Sequence, residues 1–524
     1  MSGPATGIHP AAGTGHANGA DRANGSDRAT GTDRATGPVP AAGSASTTAA
    51  AAPVGTSTAG APVRVALIGT LGFGRVHLEN LERLREAGRA ELIGVVDLHE
   101  PPAAVQGIWH RDLASLLAAH ADAPPEVVVI ATPIDTHLPL ALQALEAGAH
   151  VYLEKPPVPA LADHAVLERA AEAAGRVVQI GFQARGGAGV DALRQLVAAG
   201  ELGEIDTVRV HGAWSRDRAY YRRSPWAGRR RLGGRRVADG VATNPLAHAV
   251  HAGLVIAGID RLEDIAAVTT ELRRAHDDIE ADDTAFVRID PVRGAADADL
   301  GEDAPSHAAP SREDAAGARP RPAVVCALTT TAPVQGAPWI EIVGPLGAAR
   351  LSYTEDVLRR TAPDGTVTET RHERADLVEN LLAHVRDPQV ALLCPLEATA
   401  PFSAVLEAIQ SAPDPEPIAP EHVTWLGEGE AARPVVDGIE EALTAALDTG
   451  RPFSRSGAAW AREDAIATWR RETAAPLPAD ASPTAAAPAS PSATAPAPQA
   501  AADTTTTTGS RADGRDALDE ETRS

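Results

Sequence analysis

Between residues 63 and 180, short unbroken apolar runs alternate with segments whose apolar side chains recur at helical spacing, and no other feature restricts the fold of this chain so strongly. The runs fall at 63–68, 92–96, 127–131, 151–153 and 177–180. After the first, Val76, Leu78, Leu81 and Leu84 mark a helix; after the third, Leu138, Leu142 and Leu145 mark another. A strand that is apolar along its whole length needs cover on both faces. A parallel sheet between two helical layers supplies that cover, so the expected fold class is α/β.

The two ends of the chain do not follow this pattern. Residues 1–61 open with the repeats NGADRA, NGSDRA and TGTDRA, and from residue 474 onward Pro, Ala, Ser and Thr dominate. Segments so poor in large apolar side chains cannot offset the entropy lost on ordering, and the expectation is a disordered tail at 1–61 and another at 474–524. Residues 291–322, rich in Asp, Ala, Pro and Ser, read as a disordered insertion between two strands. The net charge of −23 argues against nucleic acid or an anionic membrane as partner. No apolar run approaches the roughly 20 residues that span a bilayer. Cys326 and Cys394 give neither a disulfide framework nor metal-ligand spacing. The expectation is a cytoplasmic protein with no metal, no nucleic-acid partner and no membrane partner.

In a parallel sheet, ligands bind at the carboxyl ends of the strands. Gly69-Thr70-Leu71-Gly72-Phe73-Gly74 closes the first run. Glycine there lets the backbone approach a pyrophosphate, and the start of the following helix offers amide donors and positive dipole. The usual G-x-G-x-x-G fingerprint would put its middle glycine at 71, where this chain has Leu71. Asp97 ends the second run, where a carboxylate accepts ribose hydroxyls and repels a 2′-phosphate. The expected cofactor is therefore NAD rather than NADP.

Of 47 lysines and arginines, Lys155 is the only lysine. A position needing positive charge alone would carry arginine in such a chain. Lysine offers a compact ammonium that can lose its proton when desolvated. Lys155 follows the fourth run, at the ligand-binding edge of the sheet, and Pro156 and Pro157 stiffen its backbone.

These segments together resemble the Gfo/Idh/MocA family, the glucose-fructose oxidoreductase and inositol dehydrogenase group. The resemblance rests on VALIGT with the glycine turn, VVD ending at Asp97, ATPIDTH at 131–137, ALEAGAHVYLEKPP at 144–157 and GELGEI at 200–205. It implies a Rossmann domain at 62–184 and a substrate and oligomerisation domain at 185–473 with a large open, mainly antiparallel sheet. It implies hydride transfer between NAD and a hydroxyl or carbonyl carbon of a sugar, cyclitol or sugar acid. Lys155 would bind the reacting oxygen, and Thr132, Pro133, His137 and Glu154 would line the cofactor. One departure is visible: the stretch between Asp97 and Trp109 has room only for a short proline-containing connection where relatives carry a helix and a strand.

In the second part, Asn244-Pro245-Leu246-Ala247-His248 precedes an apolar helix. Asn244 is expected to cap that helix, with Pro245 at its first position, and Asn244 and His248, four apart, to share a face. The family places D-x-x-x-H here, with the histidine as general acid and base. His248 matches, whereas Asn244 replaces the carboxylate. Arg185 and, in the arginine- and aromatic-rich stretch 214–236, Tyr221, Arg222 and Trp226 are expected substrate contacts; the stretch equally suits an exposed basic loop or an oligomer contact. An open sheet needs its second face covered, which points to a homodimer or homotetramer. The rival reading is a non-catalytic NAD-binding sensor on the same fold, favoured by Leu71 and Asn244.

Overall fold

The computed structural model describes residues 61–292 and 320–471. The stretches expected to be disordered lie outside the described residues, apart from margins at 61, 291–292 and 320–322; Pro291 ends a strand. The first sheet contains β1 (Val63–Ile68), β2 (Ala90–Val96), β3 (Trp109–His110), β4 (Val127–Ile130), β5 (His150–Leu153) and β6 (Val178–Ile180). All neighbours are parallel, in the order β3-β2-β1-β4-β5-β6. Helices α1 (Phe73–Glu86), α2 (Leu113–Ala119), α3 (His137–Glu146) and α4 (Leu161–Ala174) make the connections. The apolar runs explain this order: every residue of β4 is fully buried, as only a central strand covered on both faces can be. Chain direction across the sheet reverses between β1 and β4, which opens a crevice at their carboxyl ends.

The short connection after Asp97 is a six-residue 3-10 helix, Ala103–Ile108. Trp109 closes it by donating its indole N–H to the Asp97 carbonyl at 3.0 Å, which leaves β3 only two residues long.

Beyond α5 (Ala188–Ala199) lie β7 (Thr207–Ala213), α6 (Arg218–Arg222), a small hairpin of β8 (Arg231–Leu232) and β9 (Arg235–Arg236), and α7 (Ala247–Ile256). Then come β10 (Ile265–Arg274), β11 (Thr284–Pro291), β12 (Ala323–Thr329), β13 (Trp339–Gly344), β14 (Gly347–Ser352), β15 (Val357–Thr361) and β16 (Val367–Arg371). The chain finishes with α8 (Leu377–Arg386), α9 (Ala400–Ser411), β17 (Glu416–Pro417), the hairpin β18 (Val423–Leu426) and β19 (Arg433–Val436), α10 (Ile439–Thr449) and β20 (Ile466–Arg470). The second sheet runs β16-β15-β14-β13-β7-β12-β11-β10-β17, with β20 also paired to β10. Only β7 with β12 and β10 with β17 are parallel; the other pairs are antiparallel.

Alternation along the strands divides the core. Val208, Val210 and Val324 join the main core with α7, where Gly253 lets the helix lie directly on Val210. Phe286, Val325 and Ala327 face the other way and pack with Ile439, Leu443 and Leu447 of α10, Phe453 and Trp460. The chain thus covers part of the second face itself, and toward β16 ion pairs such as Arg350 with Glu341 and Arg359 with Glu369 take over. The part of that face toward β16 is not covered by a helix of the described residues. Among the described residues no helix is long and apolar enough to cross a membrane.

Phe182, just after β6, is fully buried where the sheets meet. It stacks on His251 of α7 with centroids 4.2 Å apart and meets Phe402 of α9 at 4.9 Å. Phe182→Ala is expected to cost about 3–5 kcal/mol through lost contact and a residual cavity. A shift of the urea midpoint corresponding to less than about 1 kcal/mol would show that this ring does not hold the junction.

Candidate functional site

The glycine turn closes β1 on itself. A Cβ at Gly74 would lie 2.2 Å from the Gly69 carbonyl oxygen, and one at Gly69, which adopts φ +87°, would lie 2.5 Å from the Ala131 carbonyl oxygen. Both positions admit only glycine. No side chain caps α1, so the positive end of its dipole stays available to an anion. Gly72 is the helix cap, while Leu71 and Phe73 are about half exposed at the mouth of the turn. Thr70 is buried and holds Asp97: its amide and its hydroxyl donate to Oδ2 at 2.8 and 2.7 Å, and the His99 amide donates to Oδ1 at 3.0 Å. Partial burial pushes the Asp97 carboxyl up, but these hydrogen bonds outweigh it and hold the group below its ordinary value, hence ionised. A close-approach cradle beside a fixed carboxylate fits a dinucleotide.

β5 delivers Glu154 and Lys155. The buried Glu154 carboxylate meets His77 of α1 at 2.8 Å and accepts the Lys155 amide at 3.2 Å. His77 escaped the sequence reading because a single histidine on a helix face carries no pattern. His137, expected beside the cofactor, is instead a buried tie: its Nε2 lies 2.8 Å from the Thr132 carbonyl, and its Nδ1 lies 3.0 and 3.1 Å from the Pro156 and Pro157 carbonyls. Burial holds the ring neutral, so its one N–H donates on one side of this set, and both ring nitrogens face protein oxygens between the Lys155-Pro156-Pro157 segment and the Thr132-Pro133 loop.

The Lys155 ammonium donates to Asn244 twice, to its backbone oxygen at 2.9 Å and to Oδ1 at 2.8 Å. Asn244 does not cap α7. The helix starts at Ala247 after Leu246, and Asn244 sits in a preceding turn whose amide bonds back to Gly240. Pro245 is therefore not the first helical residue, and Asn244 and His248 do not share a helical face. The side chain of Asn244 is held from both ends, by Lys155 on Oδ1 and by Asp239, whose Oδ1 accepts its Nδ2 at 2.8 Å. Asp239 is buried and was not singled out in the sequence, although it lies only five positions before Asn244.

His248 lies in the first turn of α7, half-buried, with its ring edge-on to Phe182 at 5.9 Å. Nδ1 is buried without a hydrogen-bond partner. Burial, then the positive charges of Lys155 and Arg374 and the neighbouring His251 ring, hold the imidazole well below its ordinary value, so it stands neutral rather than titrating near pH 7.

The expected substrate contacts separate. Arg185 is spent on the Leu393 carbonyl at 3.1 Å and on Asp191 at 2.9 Å. Tyr221 is buried, with its hydroxyl 2.9 Å from that of Thr330. Tyr221 is thus out of reach of a substrate, while Arg185 stays partly exposed with its guanidinium engaged. Arg222 is exposed but paired with Asp278 and Glu430, and Trp226 is half-buried with the Arg223 guanidinium 4.9 Å from its ring centre. Cys326 and Cys394 are buried, and among the described residues no group of three or more His, Cys, Asp or Glu side chains is placed to hold a metal.

Residues 63–182 match the model of an oxidoreductase family with the NAD-binding Rossmann fold. The chain is 34% identical over 144 residues to inositol 2-dehydrogenase 3 of Saccharopolyspora erythraea, a match covering 27% of this chain and 42% of that protein. It thus spans about two fifths of the length of the curated relatives it matches. Among solved structures it is similar to the WlbA dehydrogenase of Chromobacterium violaceum in complex with NADH and UDP-GlcNAcA. That likeness has a TM-score of 0.51 at 20% identity and covers 67% of this chain and 94% of the other. An inositol dehydrogenase homologue of Azotobacter vinelandii complexed with NAD+ has a TM-score of 0.51 at 18% identity, over 67% of this chain and 95% of the other. At these identities the likeness concerns the fold.

Burial also sets an acid limit. It is the largest cause that lowers His150 to about 4, His211 to about 4 and His251 to about 3. These rings are neutral when folded, whereas the unfolded chain takes up protons below about pH 6.5. Their contribution is present above that pH and is lost as pH falls toward 4. The urea midpoint is expected to fall steadily over that window. His251→Phe, which keeps a ring on Phe182, should flatten the fall by at least about 1 kcal/mol; an unchanged slope would refute the assignment.

Proposed function

We propose, because residues 63–182 belong to the Gfo/Idh/MocA oxidoreductase family, that this protein is an NAD-dependent dehydrogenase acting on a carbinol or carbonyl carbon of a sugar, cyclitol or sugar-acid-like substrate. The observation that carries the proposal is the meeting of the only lysine with Asn244, beside His248, at the carboxyl ends of β4 and β5. The glycine cradle at 69–74 and Asp97 would hold the dinucleotide, with Asp97 on the ribose hydroxyls and Thr132, Pro133 and Glu154 at the reacting end. NAD, when bound, supplies the hydride acceptor or donor.

The chain's own residues handle the oxygen and its proton. The Lys155 ammonium binds the reacting oxygen and stabilises the negative charge that develops on it. Neutral His248 accepts the hydroxyl proton in the oxidative direction and returns it in the reverse one. Asn244 fixes the direction of the ammonium through two acceptors, in place of the aspartate that the family pattern puts there. The curated relative named above is an inositol 2-dehydrogenase, and a polyhydroxylated small molecule is the corresponding substrate class here.

Purified protein incubated with NAD or NADH and a panel of inositols, sugars and sugar acids is expected to change NADH absorbance with at least one of them. Lys155→Arg keeps the charge but fills the site with a planar group; it should lower kcat about 10²- to 10⁴-fold at an unchanged melting temperature. Near-normal turnover by this variant would remove Lys155 from the reaction, and silence across the whole panel would remove the proposed activity.

A further inference from the structure

We infer that Asp239 is a positioning residue for Lys155, acting through Asn244. The inference rests on the reading of Lys155 as the amine of the reacting centre. The two ends of an asparagine amide have nearly the same shape, so only their neighbours decide which end faces the ammonium. An ionised carboxylate accepts and does not donate. Asp239 takes the Gly228 amide on Oδ2 at 2.6 Å and the Asn244 Nδ2 on Oδ1 at 2.8 Å. That leaves Asn244 Oδ1 for Lys155 Nζ at 2.8 Å. Turning the amide over would set N–H against ammonium and oxygen against carboxylate, losing both bonds in a half-buried site.

Asp239 is itself fixed. It is only 3% exposed, its amide donates to the Arg229 carbonyl at 3.1 Å, and the Val241 amide two residues on donates to Asp282. A carboxylate therefore stands two hydrogen bonds from the ammonium, in a chain whose residue 244 lacks one. Other charged or titratable groups near this amine include Glu154 with His77, and His248 with His251 and Arg374 beyond it. Asp282, raised by burial to about 7, stands behind the Asp239 turn.

Because Lys155 is the only lysine, protein grown on lysine labelled with ¹³C at Cε gives one side-chain signal, and its titration reads the ammonium without any substrate. Asp239→Asn should lower that midpoint by about one unit and lower kcat at least tenfold, with the KM for NAD unchanged. The double exchange Asp239→Asn with Asn244→Asp reverses only the middle hydrogen bond. The new amide accepts Gly228 and donates to the new carboxylate, which accepts Lys155. The exchange should restore the midpoint to the wild-type value or above and recover most of the turnover. Asn244→Ala cuts the link at its other end and must lower the midpoint in the same direction, which keeps the test usable if Asp239→Asn does not fold. An unmoved lysine midpoint in a folded Asp239→Asn or Asn244→Ala protein overturns the inference, as does a folded double exchange that fails to restore it. If the midpoints move as stated but the wild type turns nothing over, the oxidoreductase reading fails while the Asp239 link stands.

Discussion

One ammonium group ties the two halves of the candidate site together. Lys155 lies just past the end of β5 in the first sheet, and Asn244, which offers it two oxygen acceptors, lies in the turn before α7, so neither half completes the arrangement alone. A half-buried cation needs oxygen acceptors to offset its lost hydration. Asn244 supplies two from one position, its carbonyl and its side chain, and this requires the turn before α7 to stay unwound. The helix starts only at Ala247, and Pro245, which disfavours a helical conformation at the residue before it, is consistent with that turn.

Beneath this contact lies a set of buried ties that sequence motifs describe only in part. His77 joins the helix of the glycine turn to Glu154, and Glu154 joins the Lys155 amide. His137 is wedged between the Thr132 carbonyl and those of Pro156 and Pro157, with one N–H to donate. Three strand ends, those of β1, β4 and β5, are thereby held in register. A motif residue can matter through such ties rather than through a ligand, and His137 is the clearest case here.

The sequence made the first sheet legible because its strands are buried on both faces and so are written as continuous apolar runs. It also exposed Lys155, since a composition nearly free of lysine turns one lysine into a signal. Edge strands were harder to see: β16 is exposed throughout, β15 buries only Leu358, and neither carries an apolar alternation to mark it. Arg185 and Tyr221 misled because residue type alone does not tell a substrate-facing side chain from one already satisfied by Asp191 or Thr330. Asp239 was missed because its role depends on a turn that brings it back onto Asn244. Spacing by five matches neither helical nor strand periodicity, so no pattern search along the chain would pair the two residues.

The replacement of an expected aspartate by Asn244 is therefore not a simple loss of charge. A carboxylate in direct contact with an ammonium interacts by about 4 kcal/mol at 4 Å in a medium of effective dielectric constant 20, and holds the proton on nitrogen accordingly. Interposing an amide keeps the acceptor geometry, because Asp239 fixes which end of the amide faces Lys155, but moves the negative charge one residue further away. The attraction falls with that distance while the direction of the ammonium is preserved. In the proposed reaction this balance keeps the ammonium directed at the reacting oxygen without tying it into a direct ion pair. The neighbouring imidazole is held neutral by burial and by Lys155 and Arg374, and the same causes oppose its protonation until negative charge develops on the reacting oxygen beside it.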